Sequence, residues 1–592
     1  MIWNYTYGFC VTILFAWLLG YPVAVWCGLG RGVRALGYAS ASGASLLLIA
    51  CRGVQMIAPI GAARWPLLAG FAAGVVIAWS RRSTRSAAAE LLSEHGRGLA
   101  GLLCGVAAIG VLLGVPILFS NAIQFDGTRN ADSFIYVSSA RYMLAHSFYG
   151  APDFTPEHPV YTISRSYFGD GAMQPRPAAE GLLAWLSALR GTDPMYLYNA
   201  VQAAGVMLAG LAALAFLPVS WKARHASDWA LLAVYALAGP TLLHVATNSN
   251  FANGFNLPAA TGYVALGLLP RSRGTFVSGV LFIGCLLSGY PELLVFAAAA
   301  RGFAVVCDGI ASRTISKVVR EAAWMSGELI VAGVVLPWAA WGAIAVFRTT
   351  LGVSQAGASE LGGNMYAGLP MFVAAAIALG IAWRPLASVG ERGHRSFLVG
   401  ILVAFAVAQL VMVARGFGYG GFKISEYFLP LLVGVMLRSV ISAPSGVRLG
   451  RVAAFYAVAV AALLTVKSAD VLRRAWEWSE ARRVTPDLVN AGKALVELAH
   501  GRPVAMGTSP QPFYYGMWIP YLASVPIAYD LQHDPDAAGY LSPYLHTTAR
   551  TAELYGEAQL QVDVGVGNEH MASAAIAQFG RVVIRPKQEH GI

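Results

Sequence analysis

The sequence predicts an all-α polytopic membrane protein with about fourteen transmembrane helices and a small α/β domain at its C-terminus. Three observations predict this class. Of the 592 residues, 57% are hydrophobic and only 12% are charged, with a mean hydropathy of +0.58, whereas soluble domains carry about 25% charged residues. Long apolar runs alternate with short clusters of arginine. After residue 467 the charge rises and turn-forming residues appear.

Fourteen apolar runs approach the roughly 20 residues that a helix needs to cross a bilayer. They lie at 8–28, 37–58, 65–80, 98–119, 199–219, 228–247, 256–270, 274–289, 291–307, 325–347, 366–383, 396–414, 426–441 and 451–467. With this count, almost all arginine clusters between runs fall on one side, which the positive-inside rule makes the cytoplasm. Arg52 is the exception, because it falls on the outer side unless the second helix is short.

The chain therefore divides into two predicted domains. Residues 1–467 form a transmembrane domain with a large periplasmic loop at 120–198. Residues 468–592 form a periplasmic α/β domain, since about 120 residues can bury a core of their own. Two strand-like runs, Pro503–Met506 and Val582–Ile584, support strands in this second domain.

The chain has a formal net charge of +11 at pH 7. This positive charge does not indicate a nucleic-acid-binding protein. The basic residues form short clusters between apolar runs and no single patch, so membrane lipids are the expected partners and nucleic acid is not. The six cysteines lie in or beside apolar runs, which predicts no disulfide framework. No His or Cys spacing typical of a metal site occurs, so no metal ligands are assigned.

The longest polar interruption of the apolar region runs from Phe125 to Ala200. Its segment SFIYVSSARYMLAHS places Tyr136, Ala140, Met143 and Leu144 on one face of a helix. The segment is too short and too polar to span a membrane. It is therefore expected to lie along the membrane interface, with Tyr136 and Tyr142 at headgroup level.

Asp132 stands at the start of this predicted helix, and two roles are open for it. It could cap the helix by accepting hydrogen bonds from backbone N–H groups. It could also act as a general base at the boundary between water and lipid, taking a proton from an attacking hydroxyl. The two roles are compatible with each other.

The loop resembles the first outer loop of the GT-C glycosyltransferase superfamily, the class of protein O-mannosyltransferases and lipid A aminoarabinose transferases. The resemblance rests on ADSFIYVSSARYMLA and QPRPAAEGLLAWLSALRGTDPMYLYNA, about 95 residues in all with the apolar run that follows. It implies a GT-C-like fold and a catalytic aspartate at Asp132. The second acid of the family's acidic pair is here Asp126, and Arg176 stands within the proline motif.

The segment from Arg415 to Pro430, RGFGYGGFKISEYFLP, is a candidate phosphate site. A glycine-rich turn with a cation can hold a phosphate by backbone N–H groups and by charge. Lys423 and Arg415 are the predicted phosphate-binding residues, unless the segment is a flexible loop with a lysine reaching to the interface. Glu426 either pairs with Lys423 at i+3 or caps the following helix.

Further polar residues are assigned to the donor or the substrate. Glu292 follows Tyr290-Pro291 within an apolar stretch, where a carboxylate either lines a site or belongs to a turn. Arg129 is assigned to the donor phosphate, and Tyr136, Arg176 and Asp170 to the substrate. Whether Asp126 or Asp170 shares the role of base stays open.

The resemblance implies a multi-pass enzyme of the bacterial inner membrane that works on the periplasmic face. It would be an inverting glycosyltransferase that moves a sugar from a polyprenyl-phosphate donor to a hydroxyl of a lipid or glycan acceptor. No cofactor follows from the sequence, and a divalent metal is left open. Two alternatives remain: an O-antigen-type polymerase or ligase that uses a pyrophosphate-linked glycan, and a transporter or flippase.

Overall fold

The computed structural model is predominantly helical. It describes residues 1–127, 132–148, 178–218, 221, 226–248, 250–355, 364, 366–388, 392–442, 447–506, 512–523, 525–529, 549–564 and 575–587. Helices before residue 482 are α1 (Ile2–Trp26), α2 (Gly32–Ile57), α3 (Ile60–Ser80), α4 (Arg82–Leu113), α5 (Val115–Phe119), α6 (Ser133–Ala145), α7 (Ala178–Arg190), α8 (Tyr198–Ala212), α9 (Ala226–Leu237), α10 (Pro240–Thr247), α11 (Phe251–Ala265), α12 (Arg273–Gly289), α13 (Pro291–Ser312), α14 (Ile315–Val335), α15 (Pro337–Gln355), α16 (Leu369–Ser388), α17 (Arg392–Ala414), α18 (Gly418–Ile441) and α19 (Val447–Ala481).

The described part of the chain has nine helices that are long and apolar enough to cross a membrane, or eleven if each of two bent pairs counts as one span. This confirms the class of a polytopic helical membrane protein. All fourteen predicted runs coincide with helical segments, but the predicted number of fourteen spans stays a prediction. The run 325–347 shows why counting runs is insufficient, because α14 and α15 meet at Leu336–Pro337 with a bend of 108°, where proline interrupts the helix.

Close contact between α1 and α2 depends on two glycines. A Cβ atom added to Gly43 would lie 1.8 Å from the Ala16 carbonyl oxygen, and one added to Gly20 would lie 2.0 Å from that of Ala39. Helices in membranes associate through small residues that let their backbones approach. Position 43 therefore accepts no side chain without moving a helix backbone.

The C-terminal region contains a mixed five-stranded sheet. Two short strands, β1 (Gln124–Phe125) and β2 (Arg483–Val484), form a separate antiparallel pair. The larger sheet has the order β4-β3-β5-β7-β6, and β3 is parallel to both β4 and β5. The elements are α20 (Pro486–Ala499), β3 (Val504–Met506), α21 (Pro512–Leu522), β4 (Ile527–Tyr529), α22 (Ala549–Glu557), β5 (Leu560–Val564), β6 (Ala577–Phe579) and β7 (Val582–Pro586).

Both predicted strand-like runs lie within strands, β3 and β7. The predicted domain boundary at 467/468 falls inside α19, which continues to Ala481. The sheet begins only at Val504. The division of the chain into two domains stays a prediction.

Helix α6 is mostly buried by other elements of the protein, so it does not lie on the surface with one face toward lipid. Its predicted level at the membrane interface stays a prediction. Tyr142 is 1% exposed, and Tyr136 packs against Phe251 with the ring centroids 5.5 Å apart. On the opposite side, Phe134 contacts Trp518 of α21 edge to face at 5.3 Å. The sequence pattern failed here because eight of the thirteen residues of α6 are buried, far more than one interfacial face requires.

Arg52, the exception to the charge pattern, is buried near the outer end of α2. Its guanidinium lies 4.2 Å from the centre of the Phe148 ring and 5.5 Å from that of Trp338. It also hydrogen-bonds to Gln55. Stacking on two aromatic rings makes an arginine tolerable at this depth, and this explains why the residue does not follow the sidedness rule.

The contact between α1 and α2 can be tested by adding a single methyl group. We expect Gly43→Ala to lower the free energy of unfolding by about 1–3 kcal/mol, because the helices must separate to fit the new Cβ. The matched control is Gly53→Ala in the same helix, where a Cβ atom would meet nothing within 4 Å. Thermal unfolding in detergent measures both variants, and equal melting temperatures for the two would contradict the described packing.

Candidate functional site

Polar residues of three segments interact near the start of α18. The Lys423 ammonium lies 5.5 Å from the centre of the Tyr419 ring, and Tyr290, beside α13, shares a hydroxyl contact with Tyr427 of α18 at 2.9 Å. Lys423, Tyr290, Glu426 and, most weakly, Asp132 before α6 all contribute to the electrostatic environment of Tyr419. We call Tyr419, Lys423, Glu426, Tyr290 and Asp132 the polar cluster.

Lys423 and Glu426 form a buried ion pair within the polar cluster. The Lys423 ammonium donates to Glu426 Oε2 at 2.9 Å and to Asn250 Oδ1 at 2.9 Å. Glu426 is fully buried and Lys423 is 8% exposed. The predicted i,i+3 pair is confirmed. Lys423 is therefore a fixed residue inside a helix, and the alternative of a lysine in a flexible loop is wrong.

Two asparagines of α11 and the turn before it hold the Glu426 carboxylate. Asn250 Nδ2 donates to Oε1 at 2.9 Å, and Asn253 Nδ2 donates to Oε2 at 3.0 Å. Together with Lys423, they give this carboxylate three hydrogen bonds from charged and neutral donors. A buried ion pair persists only when such additional hydrogen bonds accompany it. Lys423 has three N–H donors; two are used by Asn250 and Glu426, and the ammonium also lies 5.5 Å from the centre of the Tyr419 ring.

The glycine-rich segment before Lys423 differs from the expected turn. Gly418, Gly420 and Gly421 belong to the first turn of α18, and only Gly416, with φ of +64°, adopts a left-handed turn conformation. No described side chain caps the start of this helix. The backbone N–H groups of the first turn and the helix dipole therefore offer the anion-binding geometry that the turn was expected to provide.

Asp132 occupies the predicted position before α6, but it does not act as a side-chain cap. Its carboxylate accepts no hydrogen bond from the first turn of α6, and its backbone carbonyl accepts one from Tyr136 at 3.2 Å. Capping alone therefore does not explain the presence of an acid here.

Asp126 is tied to the same end of α6. It is fully buried and accepts a hydrogen bond from Ser133 Oγ at 2.8 Å, and Ser133 is the neighbour of Asp132. Its backbone N–H donates to the Arg482 carbonyl at 2.9 Å, which anchors the segment to the end of α19. Asp126 thus has the geometry of a residue that positions Asp132.

The other face of α6 is fixed to the C-terminal region. Arg141 donates to the Tyr521 carbonyl at 2.6 Å, and the Tyr521 hydroxyl donates to Asp193 at 2.6 Å. Burial raises the pKa of the Tyr521 phenol, so it remains a donor at neutral pH. Rigid support of this kind matters for a carboxylate that must sit within hydrogen-bond reach of a substrate.

The remaining predicted residues are placed as follows. Glu292 is buried in the first turn of α13, close in sequence to Tyr290, whose hydroxyl lies 2.9 Å from that of Tyr427. Pro291 begins that helix, as expected for a residue that separates two helices. Arg415 is exposed before α18, and its backbone N–H donates to the Val411 carbonyl at 3.1 Å. Arg129, Asp170 and Arg176 lie outside the described residues, and the roles assigned to all the predicted residues stay predictions.

Asn250, Asn253, Tyr290 and Tyr419 contribute to this site without having been predicted as site residues. Asn248, Asn250, Asn253 and Asn256 are crowded into one short stretch of the sequence, but asparagine is also common in ordinary turns. The sequence signal that could have identified them is the spacing of Asn250 and Asn253, three residues apart at the start of an apolar run. Within the described part of the chain, no group of three or more His, Cys, Asp or Glu residues could hold a metal ion.

Comparisons with known proteins give no family assignment. No family model matches this chain. No curated protein matches it. Among solved structures, it is similar to the archaeal oligosaccharyltransferase AglB from Archaeoglobus fulgidus in complex with an inhibitory peptide and a dolichol-phosphate, with 12% identity and a TM-score of 0.34 over 79% of this chain and 69% of that chain. A likeness of this strength is too weak to assign a fold or a function.

The buried ion pair can be tested by removing one charge and then both. We expect Lys423→Met to destabilise the protein by about 3–5 kcal/mol, because it leaves the Glu426 carboxylate buried without its cation. Adding Glu426→Gln should restore most of this loss, since the asparagines can still bond to a neutral amide. Thermal unfolding in one detergent measures both variants.

The control for this experiment is Arg473→Met, which removes the cation of an exposed intrahelical pair with Glu477. It should change the stability by at most about 1 kcal/mol. A double variant that is as unstable as Lys423→Met alone would contradict the pairing of the two buried charges.

Proposed function

We propose that the protein is a membrane glycosyltransferase of the GT-C type, which transfers a sugar from a polyprenyl-phosphate donor to a hydroxyl of a lipid or glycan acceptor. One observation carries the proposal: a cation, Lys423, is buried and held by Glu426 and Asn250 near the start of α18, and Asp132 at the start of α6 is close enough to contribute to the electrostatic environment of the neighbouring Tyr419. A base for the acceptor and a cation for the leaving phosphate are the two groups that such a reaction needs. The resemblance of the 125–200 segment to the first outer loop of that superfamily supports the same assignment.

In the proposed reaction, Asp132 takes the proton of the acceptor hydroxyl as its oxygen attacks the anomeric carbon of the donor. The bond between that carbon and the phosphate oxygen breaks, and the configuration at the carbon inverts. The lipid phosphate leaves with one more negative charge than it had in the donor. General-base catalysis of this kind contributes typically 10²–10⁴-fold to the rate.

Lys423 would bind the phosphate as this charge develops. Two of its N–H donors are held by Asn250 and Glu426, which fixes the direction of the third. Glu426 already balances the lysine charge before the donor arrives, and Asp132 adds a negative charge while it is ready to act as the base. Phosphate binding would therefore rely on directed N–H donors and not on a net positive charge. The additional charge of the leaving phosphate is then stabilised by a preorganised N–H donor and by the start of α18, where electrostatic stabilisation is most effective.

The orientation follows from the charge pattern of the sequence. The arginine clusters put the starts of α6, α13 and α18 on the side away from the cytoplasm. We therefore place the reaction on the periplasmic face of a bacterial inner membrane. Arg415, exposed just before α18, would meet the donor phosphate only as the donor enters, which is a weaker role than the one first assigned to it.

The assignment of the base can be tested with Asp132→Asn. Because the amide cannot accept the proton, transfer of a labelled sugar from a polyprenyl-phosphate donor extracted from the native membranes should fall at least about 100-fold. The elution volume and melting temperature in detergent should stay unchanged. Glu477→Gln, which neutralises an exposed carboxylate of α19, is the control and should keep full activity.

The variant Asp126→Asn distinguishes the role of Asp126 from that of Asp132. An amide at position 126 can still accept the bond from Ser133, so we expect a partial loss of transfer through a shifted Asp132. Near-normal transfer by Asp132→Asn would contradict the proposed mechanism. If that variant also kept activity with a pyrophosphate-linked glycan, the polymerase or ligase would be the better assignment.

A further inference from the structure

A second site lies between α4 and α9, away from the polar cluster. A cavity of about 800 Å³ opens between these helices, and its lining includes Glu94, His95, Arg97 and Trp229. Small residues of both helices, Gly101 and Ala233 among them, complete its wall. The proposed glycosyl transfer uses none of these residues.

His95 is the polar group that points to a ligand. The residue is 5% exposed, and its Nδ1 atom has no hydrogen-bond partner among the described residues. Its Nε2 atom lies 3.9 Å from Glu94 Oε2, too far for a hydrogen bond, and the residue lines the cavity with other atoms of its side chain. A buried polar atom without a partner costs about 1–3 kcal/mol, so an occupant that drew the ring toward the cavity and accepted a hydrogen bond from it would remove that cost.

The shape of the cavity depends on a glycine. The rings of His95 and Trp229 pack edge to face with their centroids 5.8 Å apart. A Cβ atom at position 98 would lie 1.8 Å from Trp229 Cε2, so Gly98 allows the indole to lie directly against α4. Arg97, one residue before, is exposed and makes no ion pair with the described residues, which leaves its guanidinium available at the mouth of the cavity.

The position of the cavity along α4 matches the level of lipid headgroups. This helix has 32 residues and is therefore about 48 Å long, more than the roughly 30 Å of a hydrocarbon core. Arg97 is its last charged residue, and the sequence is apolar from Leu99 onward. His95 and Arg97 thus lie where the polar part of the helix meets the apolar part, on the side of Arg81, Arg82 and Arg85.

We infer that this cavity binds a phospholipid through its headgroup phosphate, on the cytoplasmic side of the membrane. The Arg97 guanidinium would donate to the phosphate oxygens, and a ring N–H of His95 would donate once the ring turns toward the headgroup. The acyl chains would follow the small residues Gly101 and Ala233 toward the apolar half of α4. Basic pockets between transmembrane helices on the cytoplasmic side are a known way of holding anionic headgroups.

The test is native mass spectrometry of the full chain in detergent, with phosphatidylglycerol as the probe. We expect one tightly retained lipid per chain, and about ten-fold weaker retention in Arg97→Gln, because a charge-assisted hydrogen bond to phosphate is lost. His95→Gln should weaken retention less, since its amide keeps a donor. Arg85→Gln, on an exposed arginine of the same helix that does not line the cavity, is the matched control and should behave as the wild type.

Two further probes identify the source of the phosphate. Diacylglycerol with the same acyl chains should not be retained, and inorganic phosphate should not displace the lipid at equal concentration. Equal retention of diacylglycerol and phosphatidylglycerol would overturn the inference, as would unchanged retention in Arg97→Gln. Saturable binding of inorganic phosphate alone would also overturn it, because the cavity would then be an anion site without a lipid.

Discussion

The organisation of the helices around the polar cluster depends on one constraint, the need to compensate two charges buried among apolar helices. Lys423 and Glu426 are one turn apart on α18, and neither could stay ionised at that depth alone. Asn250 and Asn253 complete the hydrogen bonds of the carboxylate. This requirement fixes the register between α11 and α18, which are 173 residues apart in the chain.

The same constraint bears on the proposed reaction. Because Glu426 already neutralises the lysine, the fold would not depend on a bound phosphate, and the proposed site could release one after transfer. The start of α18 has no side-chain cap from the preceding residue, so its N–H groups are not satisfied in the way that one of those of α20 is by Thr485. In the proposed reaction, the backbone dipole and directed N–H donors would bind the phosphate without making it permanent.

Much of the architecture could be predicted from the sequence, because apolar runs and arginine clusters are local signals. The fourteen runs, the strands β3 and β7, and the i,i+3 pair of Lys423 with Glu426 all follow from spacing alone. The pairing of Asn253 with Glu426 and the packing of α6 on α21 do not, because both join segments far apart in the chain. For α6, an amphipathic pattern indicated one buried face, and contacts with several elements buried most of the helix.

The central claim is that Lys423, held by Glu426, faces the phosphate of a lipid-linked donor. Native mass spectrometry with an equimolar mixture of undecaprenyl phosphate and undecaprenyl pyrophosphate tests it most directly. The wild type should retain the monophosphate in preference, and the charge-free pair Lys423→Met with Glu426→Gln should lose this preference while remaining folded. Retention of the pyrophosphate in preference, or equal retention of the monophosphate by both proteins, would contradict the claim.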